Sequence, residues 1–477
     1  MTKQVMPNTE RLLAGHGTTF SDYIDSGPLC CPSRAVMLTG QYGHNNGVLW
    51  NDPNPYGDLR GKHDTLPVWL RRAGYRTAHL GKYLNNYAVA TGDPNAVAPG
   101  WDEWDTILED DPGHPVGYYD YTLRHNGTPV PYGSAPADYA TRVLDDKAVR
   151  LIHRWVPKRR PAFIALDEVA PHSAPNRGDP RCFASALPAP RDSGLFADKP
   201  LPMPPNFNEA DVSDKPSFIR AQPRLTPAEI AEMKRREDCR LASLRAVDRG
   251  VERIYDALRR EHELDNTAIL YTSDNGYMQG EHREHAKVDP YEEALHVPLI
   301  VRLPRRLRGP RGAPRTLSST VANVDLAPTI LKLAGARPCN GRGRCRVLDG
   351  RSLLKAIRTH GDKWPADRGI LLELHGERAG ATMACDYRGI RTHDQVLVHY
   401  LGVTRQRQGH GPCLPDDEHE YYNLRRDPYE LDNLHPADPG SPTAARERSL
   451  DARLERLVDC AGIKGRDPRP ASGHYCD

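Results

Sequence analysis

Cys30 stands at the start of a segment, Cys30–Gly40 (CCPSRAVMLTG), whose residue types suit the binding of an anion. Pro32 favours a helix that begins here, because a proline in the first turn gives up an N–H group that has no helical partner anyway. An anion at this helix start would meet free backbone N–H groups and the positive end of the helix dipole. Arg34 adds a fixed positive charge one turn further on. The segment therefore predicts an oxyanion site beside Cys30, although two adjacent cysteines are also typical of buried or disulfide-bonded thiols.

Lys82 and His172 each follow a predicted strand, at 75–80 and at 162–166. A lysine in this position would project at the carboxyl edge of a sheet, where the sites of α/β proteins are built. A histidine suits proton transfer, because its side chain titrates near neutral pH. Taken alone, a lysine after a strand is most often a solvated surface residue.

Asp274 and Asn275 follow a third predicted strand, at 267–272. A carboxylate beside an amide carbonyl is a pair of ligands that a hard cation such as calcium accepts. The simpler interpretation of the same residues, followed by Gly276, is a turn. His282 and His285 lie three residues apart, as zinc ligands can. The third ligand and the helix pattern of a zinc protease are missing, so we favour substrate-facing or surface positions for both.

The segment from Cys30 resembles the signature of type I sulfatases, in which a cysteine followed at fixed offsets by proline, serine and arginine is oxidised to formylglycine. The resemblance covers essentially the whole chain and is closest to the branch that includes N-acetylglucosamine-6-sulfatase-like enzymes. It is also carried by the segments Gly81–Asn85 (GKYLN), Ala170–His172 (APH), Ser273–Gly276 (SDNG) and Val297–Arg302 (VPLIVR).

The resemblance implies a reaction at residue 30. The aldehyde made from Cys30 would hydrate to a geminal diol, one oxygen of which attacks the sulfur of a sulfate ester. The other oxygen would later expel sulfate and restore the aldehyde. The resemblance further implies that a formylglycine-generating enzyme matures the chain.

The resemblance also assigns roles to the other candidates. Lys82 and Lys287 would contact the sulfate, and His172 would bind it or help protonate the leaving oxygen. Arg34, the two lysines and a cation would stabilise charge in the transition state. Ca²⁺, with Mg²⁺ as the alternative, would be held by Asp274, Asn275 and the modified Cys30. We place His44 and His282 near the substrate.

The expected fold is α/β, an alkaline-phosphatase-like mixed sheet between helices, with a smaller C-terminal α+β domain. Alternating strand and helix patterns occupy the first part of the chain, and shorter strands follow residue 366. We therefore place a catalytic domain at 1–365 and a subdomain with a small antiparallel sheet and a helix at 366–477. The best helix signal is the capping box Thr226–Glu229 with proline at its first helical position.

Composition limits the partners and the compartment. The 477 residues carry a net charge of +2, which argues against nucleic acid as the main partner, and no apolar stretch is long enough to span a membrane. The N-terminus shows no signal core, so the chain as written predicts a cytoplasmic protein. Six of the ten cysteines nevertheless suggest three disulfides and an oxidising compartment, with the pairing left open: Cys339, Cys345, Cys385, Cys413, Cys460 and Cys476.

The chain departs from the family pattern before Cys30. Sulfatases carry a strand ending in two aspartates there, and no pair of adjacent aspartates occurs before Cys30 in this sequence. We expect either a start at an internal Met of a longer reading frame, which would place the protein outside the cell or in the periplasm, or a shortened relative with weak or no catalysis. The neighbours of the absent strand would then expose backbone groups.

The predicted function is hydrolysis of sulfate esters, of a sugar or a glycosaminoglycan. Two alternatives remain open. The first is a phosphonate or phosphate ester hydrolase that uses the same modified cysteine, and the second is a noncatalytic protein that binds sulfated glycans.

Overall fold

The computed structural model describes residues 4–51, 53–108, 117–156, 160–174, 180–308, 312, 315–375, 385–401 and 418–477. The helices are α1 (Pro7–Leu12), α2 (Cys30–Thr39), α3 (Gly43–Asn46), α4 (Pro55–Asp58), α5 (Leu66–Arg72), α6 (Tyr87–Thr91), α7 (Ala140–Trp155), α8 (Ser217–Arg220), α9 (Pro227–Arg260), α10 (Glu292–Leu295), α11 (Leu326–Ala334), α12 (Leu354–Thr359) and α13 (Pro442–Leu457). The strands are β1 (Thr18–Phe20), β2 (Tyr23–Ile24), β3 (Arg76–Lys82), β4 (Glu103–Ile107), β5 (Thr122–His125), β6 (Thr128–Pro131), β7 (Ala162–Asp167), β8 (Ile269–Thr272), β9 (Met278–Gln279), β10 (His285–Ala286), β11 (Leu299–Arg302), β12 (Thr316–Leu317), β13 (Val321–Ala322), β14 (Ile370–Leu374), β15 (Tyr387–Arg391), β16 (Gln395–Tyr400) and β17 (Glu418–Asn423).

The strands that lead to the candidate residues belong to two sheets. One has the order β6-β5-β4-β3-β7, with β3 parallel to both β4 and β7. The other has the order β12-β1-β11-β8, with β8 antiparallel to β11. Strands β7 and β8 are the last strands of their sheets, and within the described ranges no further strand pairs with either. Their side chains are mostly half-buried, as open strand edges allow.

Helices cover both faces of the five-stranded sheet. Ile164 of β7 packs among residues of α7 and α9, whereas Phe163 packs against α5 and α11 on the opposite face. This alternation follows from the two-residue period of a strand. The mixed sheet between helices agrees with the expected fold class.

The long helix α9 begins where the sequence predicts it. The Thr226 hydroxyl accepts a hydrogen bond from the Glu229 backbone N–H at 3.3 Å, and the Glu229 carboxylate accepts one from the Thr226 N–H at 2.7 Å. The helix packs along α7 and α1 and forms one wall of the core. The helix carries none of the candidate site residues and serves as scaffold. Its capped start fixes the position of its first turn.

The C-terminal part forms an antiparallel sheet, β14-β15-β16-β17, with α13 packed on it. The sheet shares a core with α2, because Leu29 and Val36 belong to the same buried cluster as Leu372 and Leu397. The elements after residue 366 therefore have the predicted composition, and the boundary at 365 stays a prediction. In the part of the chain described, no helix has the length and apolar character that crossing a membrane requires.

Candidate active site

Cys30 is the first residue of α2, and the preceding Leu29 has extended backbone. Its side chain is only 2% exposed, at the helix end where backbone N–H groups point outward. The helix ends at Gly40, whose positive φ of 65° closes its last turn. Cys30 and Cys31 are both free thiols, which rules out a disulfide between them. Cys31 faces the core and accepts a hydrogen bond from the Asn85 backbone, so only Cys30 lies in the candidate site.

Two lysines converge on the Cys30 sulfur. Lys287 Nζ lies 2.9 Å from Cys30 Sγ, and Lys82 Nζ lies 3.6 Å from it. Burial alone would raise the pKa of Cys30, but the charges of Lys287 and Lys82 and a hydrogen bond from His172 hold that pKa well below its usual range. The structure therefore brings together four of the predicted residues around a centre that favours negative charge.

Arg34 lies behind this centre and joins the ends of three strands, β3, β7 and β8. Its Nε donates to Asp274 Oδ2 at 2.8 Å, and its Nη1 donates to the Lys82 carbonyl at 2.6 Å and to Asp167 Oδ1 at 3.3 Å. Burial would raise the pKa of Asp274, but the charges of Arg34, Lys287 and Lys82 lower it well below its usual range. Asp274 is therefore an anion at neutral pH. Arg34 fixes the position of this carboxylate and of the strand end that carries Lys82.

Asp274 and Asn275 are suited to a hard cation by the type of atom they offer. Asn275 Oδ1 faces the site, because it accepts a hydrogen bond from Lys287 Nζ at 3.1 Å. Asp274 contributes an ionised carboxylate, and Asp167 adds a second one on the other side of Arg34. All three are oxygen donors, which Ca²⁺ and Mg²⁺ prefer. They are fewer than the six to eight oxygens that calcium usually takes, so other oxygen atoms would have to complete the shell.

Two aspartates of the site were not predicted. Asp167 is the last residue of β7 and could have been found by the argument that selected Lys82, namely a polar residue at the end of a strand. Asp25 is fully buried and accepts hydrogen bonds from the Gly27 N–H and the Asn323 amide. Its burial raises its pKa well above the usual range, and the negative charge of Asp274 raises it further. Nothing in the sequence around Asp25 indicates this position.

His44 and His282 have other partners. His44 Nδ1 lies 3.0 Å from Glu373 Oε1, and its Nε2 lies 2.9 Å from the Cys460 carbonyl, so it links α3 to the C-terminal part. The fully buried His282 stacks on Tyr291, with ring centroids 4.2 Å apart. These placements argue against substrate contact by either histidine, so the structure gives no support to that part of the prediction.

Disulfides tie the outer segments together. Cys339–Cys345 and Cys460–Cys476 pair within the groups expected from the sequence. Cys385 is also disulfide-bonded, and Cys413 lies outside the described residues. The bond Cys182–Cys239 was not anticipated, and it links the segment around Cys182, which precedes α8, to α9.

Residues 1–336 match the family described as Sulfatase, and residues 280–458 match the C-terminal domain of N-sulphoglucosamine sulphohydrolase. The chain belongs to the sulfatase family. It is 33% identical to the human N-acetylglucosamine-6-sulfatase over 494 residues, which cover 97% of the chain and 82% of that enzyme. It is 31% identical to the Drosophila melanogaster extracellular sulfatase SULF-1 homolog over 395 residues, 80% of the chain. The chain spans 32% of that relative's length, so the match covers only part of it.

A solved structure of a protein bound to its substrate D-glucosamine-2-N,6-O-disulfate shares the fold. The two superpose with a TM-score of 0.73 at 25% identity, over 94% of this chain and 92% of the other. The predicted family and fold are thereby confirmed, and with them the predicted class of reaction, hydrolysis of a sulfate ester. As a sulfatase the chain belongs to a family of metal-dependent enzymes.

Proposed function

We propose that this sulfatase removes a sulfate ester from a sugar unit of a glycosaminoglycan, and that formylglycine made from Cys30 is its nucleophile. The observation that carries the proposal is the position of the Cys30 side chain. It lies at the start of α2, 2.9 Å from one lysine and 3.6 Å from another, with His172 hydrogen-bonded to it. A tetrahedral dianion or its ester is the kind of ligand that such a centre favours.

Each residue then has a task set by its contacts. Lys82 and Lys287 hold the sulfate oxygens and stabilise the charge that moves onto them as the ester bond breaks. Arg34 orients Asp274 and the end of β3, so it positions other groups and takes no part in the reaction itself. His172 is partly exposed and hydrogen-bonded to Cys30, and it would donate a proton to the leaving oxygen.

The proposed metal is Ca²⁺, with Mg²⁺ as the alternative, held by Asp274, Asn275 and the modified residue 30. When bound it would supply positive charge next to the sulfate. The ionised state of Asp274 and the inward-facing Asn275 oxygen support this assignment.

A cavity lined in part by residues close in the chain to Asn275 and Lys287 is the place that we propose for the sugar. It has a volume of about 410 Å³, and two of its walls belong to the segments that carry Asn275 and Lys287, through Tyr277 and His285. Arg240 lies over the Tyr277 ring, 3.6 Å from its centroid. Arg236 also lines the cavity, where it pairs with Glu232, another lining residue, at 2.7 Å. The Arg240 guanidinium on the Tyr277 ring suits contact with a saccharide that carries negative charge, which supports a sulfated glycan as the substrate.

We further propose that the protein acts outside the cytoplasm after maturation by the formylglycine-generating enzyme. The disulfides support an oxidising compartment, and a relative matched by this chain is named an extracellular sulfatase.

The test is an assay of protein co-expressed with the formylglycine-generating enzyme, in calcium-containing buffer. We expect release of sulfate from an aryl sulfate and from N-acetylglucosamine 6-sulfate. Faster turnover of an aryl phosphonate than of the sulfate would favour the phosphonate hydrolase instead. Retention on a sulfated-glycan column with no sulfate released from any substrate would favour the noncatalytic binding protein.

A further inference from the structure

We propose that His282, Glu293 and Glu430 form a second, buried metal site for a divalent ion of the zinc class, separate from the residues around Cys30. One ligand atom from each of the three side chains lies within 4.8 Å of the other two. His282 and Glu430 are at most 1% exposed. The three residues come from two distant parts of the chain, which is why the spacing of His282 and His285 alone does not reveal the site.

The imidazole of His282 is held in the orientation that a metal ligand needs. Its Nδ1 lies 2.6 Å from Glu209 Oε2, so this nitrogen carries the proton and donates it to the carboxylate. The Nε2 atom is then the acceptor, and its partner is the Asn206 amide N–H at 3.2 Å. A carboxylate that fixes the remote nitrogen of a histidine is a regular feature of metal sites, because it makes the ligating nitrogen more basic.

Unpartnered oxygen atoms accompany this nitrogen. Glu293 Oε2, Glu430 Oε1 and Asn206 Oδ1 are buried and have no hydrogen-bond partner. The other oxygens of the two glutamates are engaged, since Glu293 Oε1 accepts from the Asn206 amide and Glu430 Oε2 from the Glu292 backbone N–H. Three buried acceptors without donors are costly in a folded protein, and a cation would satisfy them together. A half-turn of the Asn206 amide would also exchange its N–H group for its oxygen beside His282.

The charge balance of the cluster also favours a bound cation. Within the described ranges neither Glu293 nor Glu430 forms an ion pair, and the nearby Arg391 is engaged by Glu292 and Asp22. Glu103, Asp105 and His125 form a second cluster of possible metal ligands, and its charge balance can be compared with that of the first. There Lys147 pairs with Asp105 and Arg154 pairs with Glu103, both at 2.7 Å, so the protein already supplies the positive charge. Of these two clusters among the described residues, the one around His282 lacks such an ion pair for its glutamates.

The donor set selects the class of metal. Zinc binds both imidazole nitrogen and carboxylate oxygen with few ligands, so one imidazole with two or three oxygen donors in a buried site suits it. Calcium takes six to eight oxygens and magnesium keeps several waters, and neither requirement suits this enclosed site.

The proposed metal site would influence the active site because two of its ligands lie close in the chain to Lys287. His282 and Glu293 flank Lys287 on either side in the chain, and Glu430 belongs to the C-terminal part. A metal joining the three would fix the segment that places Lys287 beside Cys30. We assign it a structural role.

The test is the metal content of the full-length protein after growth with added zinc and dialysis into calcium-containing buffer. We expect one tightly bound zinc ion per chain, and a Co²⁺-substituted protein with the visible absorption of a tetrahedral site. Glu430→Gln keeps the shape of the side chain and should lower zinc affinity about tenfold or more. His125→Ala, in the comparison cluster, and Cys30→Ala should both retain the metal.

Circular dichroism establishes that each variant is folded, and because the readout is metal content, it does not depend on the proposed sulfatase reaction. If the protein with its natural residues binds no zinc and shows no Co²⁺ absorption, the proposal is overturned. Full zinc retention by Glu430→Gln and His282→Ala would overturn it as well.

Discussion

Lys287 Nζ lies 2.9 Å from Cys30 Sγ and 3.1 Å from Asn275 Oδ1, so a single ammonium group links the nucleophile position to a proposed metal ligand. The lysine reaches this place from a loop after β10, opposite the strand that carries Lys82. An anion bound at residue 30 is therefore held between positive charges from two separate parts of the chain.

Replacing Lys287 by alanine should lower kcat for an aryl sulfate by roughly 10²–10³-fold, the usual cost of removing one preorganised charge from a reacting oxyanion. The measurement is steady-state kinetics on matured protein. Lys332→Ala, on an exposed position of α11, is the matched control and should leave kcat unchanged. An unaltered kcat in the Lys287 variant would show that this lysine does not contact the sulfate.

The unmodified thiol of Cys30 provides a test that needs no substrate. In protein made without the maturation enzyme, its pKa should lie well below that of a free cysteine, because Lys287 and Lys82 outweigh the effect of burial. The thiolate should therefore persist as the pH falls below neutrality. Its ultraviolet absorbance measures this, with Cys30→Ala as the blank. In Lys287→Ala the absorbance should disappear at a higher pH, and identical titrations of the two proteins would contradict the proposed electrostatics.

The ion pair between His44 and Glu373 should make stability depend on pH in the alkaline range. Burial disfavours the charged ring, but the Glu373 carboxylate raises the pKa of His44 to about 9. Because the folded value lies above the unfolded one, the stabilisation is complete below about pH 6.5 and is lost as the pH rises through about 9. It amounts to something on the order of 3 kcal/mol. Urea unfolding over this range should show the loss, and His44→Gln should remove the pH dependence. An equal slope in both proteins would refute this account.

The disulfide Cys182–Cys239 should stabilise the protein more than Cys339–Cys345. The first closes a span of 57 residues and the second a span of 6. Since a longer loop loses more entropy when it is closed in the unfolded chain, removing the first by double alanine substitution should cost roughly 2–4 kcal/mol. Thermal unfolding of the two double variants compares them directly. A larger loss for the short loop would contradict this ranking.

The sequence was a good guide where the signal is local. Lys82 ends a strand and His172 and Asp274 follow strands, and the pattern of each strand is visible in the residues beside it. Helix α9 has its capping box and proline within four residues. Such features depend on backbone geometry over one or two turns, which neighbouring side chains largely determine.

The sequence was a poor guide where contacts join distant segments. Asp25 becomes buried near Asp274 only once β1, β8 and β11 have assembled. His282 was expected to face the substrate or the surface because the sequence shows no third ligand for a zinc protease, whereas in the structure it contacts Glu209 and Tyr291. Residues that contact each other from distant parts of the chain produce no periodic pattern in the sequence.

The central claim is that residue 30 acts as formylglycine, and one experiment on a single sample tests it most directly. Protein co-expressed with the formylglycine-generating enzyme is divided, one part for mass analysis of the peptide containing residues 30 and 31 and the other for sulfate release. We predict that Cys30 has the mass of the aldehyde, that Cys31 remains a thiol, and that Cys30→Ala releases no sulfate. An intact thiol at Cys30 together with undiminished sulfate release would contradict the account.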